Sequence, residues 1–238
     1  MKEYFHIEKI RDRIHVITEP YFYEHANLYL IEGDDHDLLV DVGLGLSDIK
    51  SFLQAKGFNP IVVLTHAHFD HVGGIKHFLP SEIIVTAKVA KNLQHEELLG
   101  LQYLKPGYFD AVSTKELFGK TPQKICSDYR IEYKSLQALR SNTIHVGSYV
   151  FKIIPTPGHT NDSVVLYDKN HKLLLSGDTL YDGELYANFE NSDKTQFVNS
   201  LSRLRSLDIA MTLTGHNQVL HGVQTHSVIE RWLGELQQ

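Results

Sequence analysis

The chain has one cysteine, Cys126, so it can close no intrachain disulfide, which suits a reducing compartment. It lacks any apolar run longer than a strand, so no segment reads as a membrane span. Its N-terminus, Met1-Lys2-Glu3-Tyr4-Phe5-His6, lacks the apolar stretch of a signal peptide, and the cytoplasm is the expected location. No basic run of nucleic-acid-binding type occurs, and the net charge is -6 with histidines neutral, so no nucleic acid partner is expected. A linker rich in Gly, Pro or Ser, a low-complexity tract and a close internal repeat are all missing. Residues 1–238 therefore read as a single domain. What the chain has in excess is histidine. It carries 15, about three times the ordinary share, and their positions decide what they mean. The remaining composition, 42% hydrophobic and 22% charged, is that of a globular chain able to bury a sizeable core.

Alternation and apolar runs predict strands at Asp12–Glu19, Asn27–Glu32, Asp37–Val42, Pro60–Thr65 and Ile83–Thr86, with a hairpin turn at Gly33-Asp34-Asp35-His36. Helical spacing predicts a helix over Ser47–Lys56, with Ser47 as its cap and Gly57 as its stop. Further helices are expected after Gly73-Gly74 and over 88–99. Residues 100–140 are less regular, with Pro106-Gly107 and Thr121-Pro122 as breakers. The second half starts over in the same style. Strands are expected at Tyr149–Ile154, Ser163–Tyr167, Lys172–Ser176 and Ala210–Thr214, and helices at Asp193–Leu204 and Ser227–Leu236. Strands then helices, twice over, imply two sheets packed face to face with helices outside.

Thr65-His66-Ala67-His68-Phe69-Asp70-His71 carries the chemistry, because four candidate ligands crowd into six residues just after a buried strand. His66 and His68 share a phase and can bind one ion together, while Asp70 and His71 lie past the turn and can face a second. Imidazole with carboxylate suits zinc, and iron and manganese also accept it. Three more pieces follow predicted strands: Thr156-Pro157-Gly158-His159-Thr160, Ser176-Gly177-Asp178-Thr179 and Thr214-Gly215-His216-Asn217. Each is an apolar strand, a glycine that lets the backbone turn, and a metal-binding residue.

This ordered set, from about Asn27 to His216, resembles the metallo-β-lactamase superfamily. The resemblance implies an α/β fold, a four-layer αβ/βα sandwich, with the metals at one edge of the two sheets. It implies two divalent metal ions, zinc first and iron or manganese as alternatives. His66, His68 and His159 are expected to hold one, Asp70, His71 and His216 the other, and Asp178 to bridge them. Two cations sharing one water lower its pKa towards neutrality and ready it to attack a carbonyl. Asp70 can also accept a hydrogen bond from that nucleophile, which makes it the expected catalytic residue. Tyr181, soon after Asp178, is the expected substrate-binding residue, as a donor to the oxyanion. Asp41, in Val40-Asp41-Val42-Gly43, fits the family pattern as a residue that orients the ligand loop. The acidic residue that the diiron flavoprotein branch carries where His68 stands is absent.

Within the superfamily, the narrower resemblance is to the subfamily of metallo-β-lactamase domain-containing protein two, of acyl-CoA thioesterase type. It rests on Phe22-Tyr23-Glu24, Val42-Gly43-Leu44-Gly45-Leu46, His68-Phe69-Asp70-His71, Leu175-Ser176-Gly177-Asp178 and Tyr181-Asp182-Gly183. A small-molecule thioester or ester substrate is thus expected, and a homodimer is compatible with the sequence. A glyoxalase-II-like hydroxyacylglutathione hydrolase and an acyl-homoserine-lactone lactonase are the alternatives. Only residues 217–238 follow His216, which weakens the glutathione reading. Persulfide dioxygenase and β-lactamase chemistry rank lower, since the former uses a single iron and true β-lactamases usually lack the bridging carboxylate. Tyr103, Tyr108 and Phe109 are read as packing of an insertion, with cover for an acyl chain as the alternative. His77, His95, His171 and His221 are not expected to be ligands, and Cys126 reads as a packed thiol.

Overall fold

A computed structural model of the chain describes residues 3–132, 136, 138–139 and 141–237. Met1 and Lys2 of the N-terminal reading, and residues 133–135, 137 and 140 of the 100–140 segment, lie outside the described residues.

The first half forms β1 (His6–Arg11), β2 (Ile14–Thr18), β3 (Leu28–Ile31), β4 (Asp37–Val40), α1 (Ile49–Gln54), β5 (Pro60–Val63), α2 (Phe69–Val72), β6 (Ile83–Ile84) and α3 (Ala87–Asn92). An insertion adds α4 (Ala111–Phe118) and α5 (Pro122–Asp128). The second half forms β7 (Thr143–Val146), β8 (Tyr149–Pro155), β9 (Val164–Asp168), β10 (Leu173–Gly177), α6 (Lys194–Arg205), β11 (Met211–Thr214), β12 (Leu220–His221) and α7 (Gly222–Leu236). Two sheets result, with strand orders β1-β2-β3-β4-β5-β6 and β12-β11-β10-β9-β8-β7. β3 and β4 pair antiparallel through the predicted hairpin, Tyr29 opposite Val40, and β4 runs parallel to β5.

The two-residue period of each strand sorts its side chains between layers. Tyr29 and Ile31 face inward with Val40 and Val63, meeting Phe151, Val164, Leu166, Leu173 and Leu175 of the other sheet. Leu28, Leu30, Leu39 and Val62 face outward onto Ile49 and Leu53 of α1 and Val89 of α3. On the far side, Val165, Tyr167 and Leu174 face outward onto Phe197 and Leu201 of α6 and Ile229 and Trp232 of α7. The order of layers is therefore helix, sheet, sheet, helix, as the resemblance implied.

Several expected boundaries move, each for a local reason. α1 is capped by Asp48, whose side chain accepts from the Ser51 amide, because the cap must stand three residues before that amide; Ser47 is one position early. The helix expected after Gly73-Gly74 starts before them, at Phe69, and Gly73–His77 continue it as a 3₁₀ turn. The two glycines serve close packing instead: a Cβ on Gly73 would lie 2.2 Å from the Leu44 carbonyl oxygen, and one on Gly74 2.3 Å from that of Val42. α3 ends at Asn92, and the chain then turns through Gly100, at φ 70°, to meet His68. α7 begins at Gly222, five residues before the expected Ser227, since Gln224 caps the His221 amide at 2.9 Å. Thr121-Pro122, read as a breaker, is the start of α5: Thr121 caps the Lys124 amide, and proline fits the first helical turn. β1, β7 and β12 were not anticipated; β1, reading HIEKIR, is a largely exposed edge strand that shows little periodicity.

Candidate metal centre

The seven side chains singled out in the sequence converge at one edge of the sandwich. His66 and His68 follow β5, and Asp70 and His71 lie in the short helix α2. His159 follows β8, Asp178 follows β10, and His216 follows β11. Close approach of the last two loops requires glycine. A Cβ on Gly215 would stand 2.2 Å from Asp178 Oδ1, and Gly177 turns at φ 46° with Thr65 Oγ1 2.8 Å from where its Cβ would be.

Two groups form. His66, His68, His159 and Asp178 each offer a ligand atom, all within 4.8 Å of one another, and so do Asp70, His71 and His216; either group could hold a metal ion. Asp178 lies between them. Its Oδ1 is 3.1 Å from His71 Nε2, and its Oδ2 is 3.3 Å from His216 Nε2, 3.4 Å from His159 Nε2 and 3.7 Å from His66 Nε2. Asp70 Oδ2 lies 3.4 Å from His216 Nε2 and 3.7 Å from His71 Nε2.

The other nitrogen of four imidazoles is tied down. Nδ1 meets Asp41 Oδ2 at 2.8 Å in His71, the Tyr186 carbonyl at 2.9 Å in His159, the His25 carbonyl at 3.0 Å in His216 and Thr65 Oγ1 at 3.0 Å in His66. A proton donated from Nδ1 to a carbonyl or carboxylate leaves a lone pair on Nε2, the arrangement of a metal-ligating histidine. Consistent with this, Nε2 of His66 and His71 and Oδ1 of Asp178 are buried without a hydrogen bond, whereas His68 turns Nδ1 towards the group, 3.1 Å from His159 Nε2. Each such orphan costs stability unless another partner takes it, and a divalent cation among imidazoles and carboxylates is that partner.

The electrostatics agree. Burial pushes Asp178 up, but His216, His71 and His66 outweigh it and hold its carboxyl well below the usual range. Burial lowers His66 and His68, and neighbouring imidazoles lower them further, so both favour the neutral, ligating form. Burial also works to lower His71, yet Asp178, Asp70 and Asp41 raise it well above an ordinary histidine. The site thus pulls a positive charge into its centre.

A second tier of groups braces the ligand loops. Asp41, at φ 62°, accepts from the Thr65 amide and hydroxyl, each at 2.8 Å, as well as meeting His71. Glu19, fully buried, accepts from the Leu44 amide at 2.9 Å. Tyr129 donates to the Leu44 carbonyl at 2.8 Å and lies 3.1 Å from that of Phe69, at the start of α2. Neither Glu19 nor Tyr129 was singled out in the sequence.

The centre floors a cavity of about 420 Å³. Tyr181 lines it, with its hydroxyl donating to the Glu184 carbonyl at 2.7 Å and its ring 5.4 Å from that of His216. Tyr23, Tyr103 and Tyr108 also line it, so the insertion does reach the cleft; Phe22 and Phe109 are instead buried in an aromatic cluster beside it. Sequence reasoning missed Glu24, His25, Glu184, Tyr186 and Phe189 as lining residues, although 184–189 follow the Gly-Asp piece closely enough to have been considered. His171 pairs with Asp168, His95 lies by Glu97, and Cys126 is half-buried in the aromatic cluster, all outside the ligand set. No helix among the described residues is long and apolar enough to cross a membrane.

Comparison with known proteins agrees with the geometry. A sequence profile of the metallo-beta-lactamase superfamily matches residues 23–216. An acyl-coenzyme A thioesterase, MBLAC2, of Gallus gallus is 32% identical over 200 residues, covering 78% of this chain and 70% of that one. A hydroxyacylglutathione hydrolase of Salmonella gallinarum is 25% identical, covering 86% of this chain and 66% of its own. A metallo-beta-lactamase family protein of Thermus thermophilus superposes with a TM-score of 0.71 at 19% identity, over 96% of this chain and 81% of that one, which speaks for the fold.

Proposed function

The chain belongs to the metallo-beta-lactamase superfamily and is a hydrolase, and from that premise we propose that it cleaves thioesters or esters of acyl-CoA-like type at a dinuclear metal centre. The observation that carries the reading is the convergence of seven ligand side chains in two groups, with Nε2 of His66 and His71 and Oδ1 of Asp178 buried and without a hydrogen bond. His66, His68 and His159 would hold one ion and Asp70, His71 and His216 the other, with Asp178 shared between them. Zinc suits this donor set, and iron or manganese also fits. When bound, two divalent ions supply a water activated at neutral pH and an electrophile for the carbonyl oxygen.

The chain's own groups do the rest. Asp41, Thr65, Tyr186 and His25 fix the imidazole tautomers and hold the ligands in place. Asp70, besides binding metal, accepts a hydrogen bond from the attacking water and orients it. Tyr181 binds substrate along the cleft wall; to donate to the developing oxyanion its hydroxyl must leave the Glu184 carbonyl. The thioester preference is supported by the thioesterase relative and by the carboxylate at 178. The single, half-buried cysteine suits action in the cytoplasm.

The test is one metal-loaded preparation assayed in parallel on an acyl-CoA, an acyl-glutathione, an acyl-homoserine lactone and a β-lactam. Highest kcat/KM is expected on a thioester. Highest efficiency on the lactone would move the protein to the lactonases, and highest efficiency on the β-lactam would overturn the reading.

A further inference from the structure

Between β10 and α6, residues 178–193 form neither helix nor strand. Irregular connections beyond about 12–15 residues are uncommon in a packed domain and usually carry function. The middle of this one walls the cleft through Tyr181, Glu184, Tyr186 and Phe189. Phe189 reaches the ligands, its ring centroid 4.4 Å from that of His68 and 5.1 Å from that of His159. The far end is tied to His159 itself: the Tyr186 carbonyl meets its Nδ1 at 2.9 Å, and the Ser192 hydroxyl donates to its carbonyl at 2.6 Å.

The near end, the Asp182-Gly183 turn, is tied to the C-terminal segment instead. The Asp182 carboxylate accepts from Arg231 Nη1 at 3.0 Å and from Gln218 Nε2 at 3.3 Å. Its carbonyl accepts from Asn217 Nδ2 at 2.9 Å, and the Gly183 carbonyl accepts from Arg231 Nη2 at 3.3 Å. Arg231 of α7 thus spans a carboxylate and a carbonyl with one planar fork, a grip that a lysine ammonium does not reproduce. Glu235, one turn further along α7, lies 3.7 Å from Arg231 Nε and steadies the guanidinium. The contact is tight: a Cβ on Gly183 would stand 2.7 Å from Asn217 Nδ2. Asn217 is itself held, its carbonyl accepting from Asn27 Nδ2 at 2.7 Å. Over this turn the Tyr181 hydroxyl closes on the Glu184 carbonyl, and the Tyr181 ring stands 5.4 Å from His216 and 5.1 Å from Trp232. The Arg231 and Asp182 side chains are 44% and 38% exposed. An ion pair so open to water contributes only about 0–1 kcal/mol to stability, so its consequence lies in where it holds the turn.

We propose that Arg231 and Asp182 are positioning residues for the substrate: their clamp sets where Tyr181 and the wall from Glu184 to Phe189 stand over the ligand groups. This rests on the reading of Tyr181 and the cleft as the substrate site, and adds two residues outside the lining that govern it.

Asp182→Ala and Arg231→Ala test it, metal-loaded and assayed on the compound of the parallel set that the wild type hydrolyses best. KM should rise about tenfold in each while kcat changes less than about threefold, because the wall shifts and the metal ligands do not. Metal content and melting temperature should stay near those of the wild type. Arg205→Ala is the control: it breaks an exposed pair with Glu230, also on α7, and should leave KM unchanged. Amide hydrogen exchange gives a readout that needs no substrate. Exchange across 181–189 should quicken about tenfold in both clamp variants and not in the control. Unchanged exchange there overturns the clamp, and faster exchange with an unchanged KM overturns the positioning role. A KM rise in the control of the same size, or a loss of activity matched by loss of metal or of fold, also overturns it. If the wild type hydrolyses none of the four compounds, the substrate reading falls, and the exchange measurement still decides the clamp.

Discussion

Asp178 is the residue on which both ligand groups converge, within 3.7 Å of four imidazole nitrogens. Asp178→Asn keeps its shape and removes the charge. Turnover is expected to fall at least about a hundredfold, a loss of the size seen when metal-site partners are removed, with metal content reduced and the fold retained by circular dichroism. Unchanged activity and metal content would remove Asp178 from the mechanism. Glu19 gives a pH prediction. Burial pushes its carboxyl from 4.5 up to about 8. Between those values the folded state holds a proton that the unfolded chain has released, so stability falls as pH rises through this window and levels off above it. Glu19→Gln mimics the protonated form. In chelator-treated protein it should gain on the wild type, by an amount on the order of a few kcal/mol, between pH 5 and pH 8; parallel melting curves for the two proteins at both pH values would contradict this. The ligands themselves were legible because metal binding demands particular atoms, four of them crowded into His66–His71. Glu19 was not, because its role depends on Leu44, 25 residues away, and no local pattern encodes that contact.

Among the elements, the short helix α2 presents Asp70 and His71, and its entry is braced from the insertion by the Tyr129 hydroxyl. Tyr129→Phe removes one donor shared by two buried carbonyls. A loss of about 1–3 kcal/mol is expected from the stranded acceptors, together with a roughly tenfold weaker hold on one of the two metal ions. Chelator competition should then show one ion leaving the variant earlier than in the wild type, whereas identical release curves would count against the brace. Buried strands such as β3 and β5 were readable from continuous apolar runs. Edge strands β1, β7 and β12 were not, since exposure dilutes the alternation of β1 and the other two are only four and two residues long. In the insertion, Thr121-Pro122 carries the same local signature whether it breaks a helix or opens one, and only the following turn, docked against the aromatic cluster, decides.

At the scale of the molecule, two sheets pack through Tyr29, Val40, Phe151 and Leu166, while helices cover both outer faces. This layering brings the ends of β5, β8, β10 and β11 to one edge, where ligands from distant stretches of sequence share a site. Two similar halves were legible as a repeated order of strands and helices, and the repeat of strand, glycine and ligand marked the edge they share. The lining of the cleft was not legible, because Glu24 of the first half and Glu184 and Tyr186 of the second share a cavity only once both halves are packed. The central claim is the dinuclear centre, and the metal-to-protein ratio by elemental analysis, after reconstitution and removal of loosely bound ions, tests it most directly. About two divalent ions per chain are expected; a ratio that stays at one would contradict a dinuclear centre.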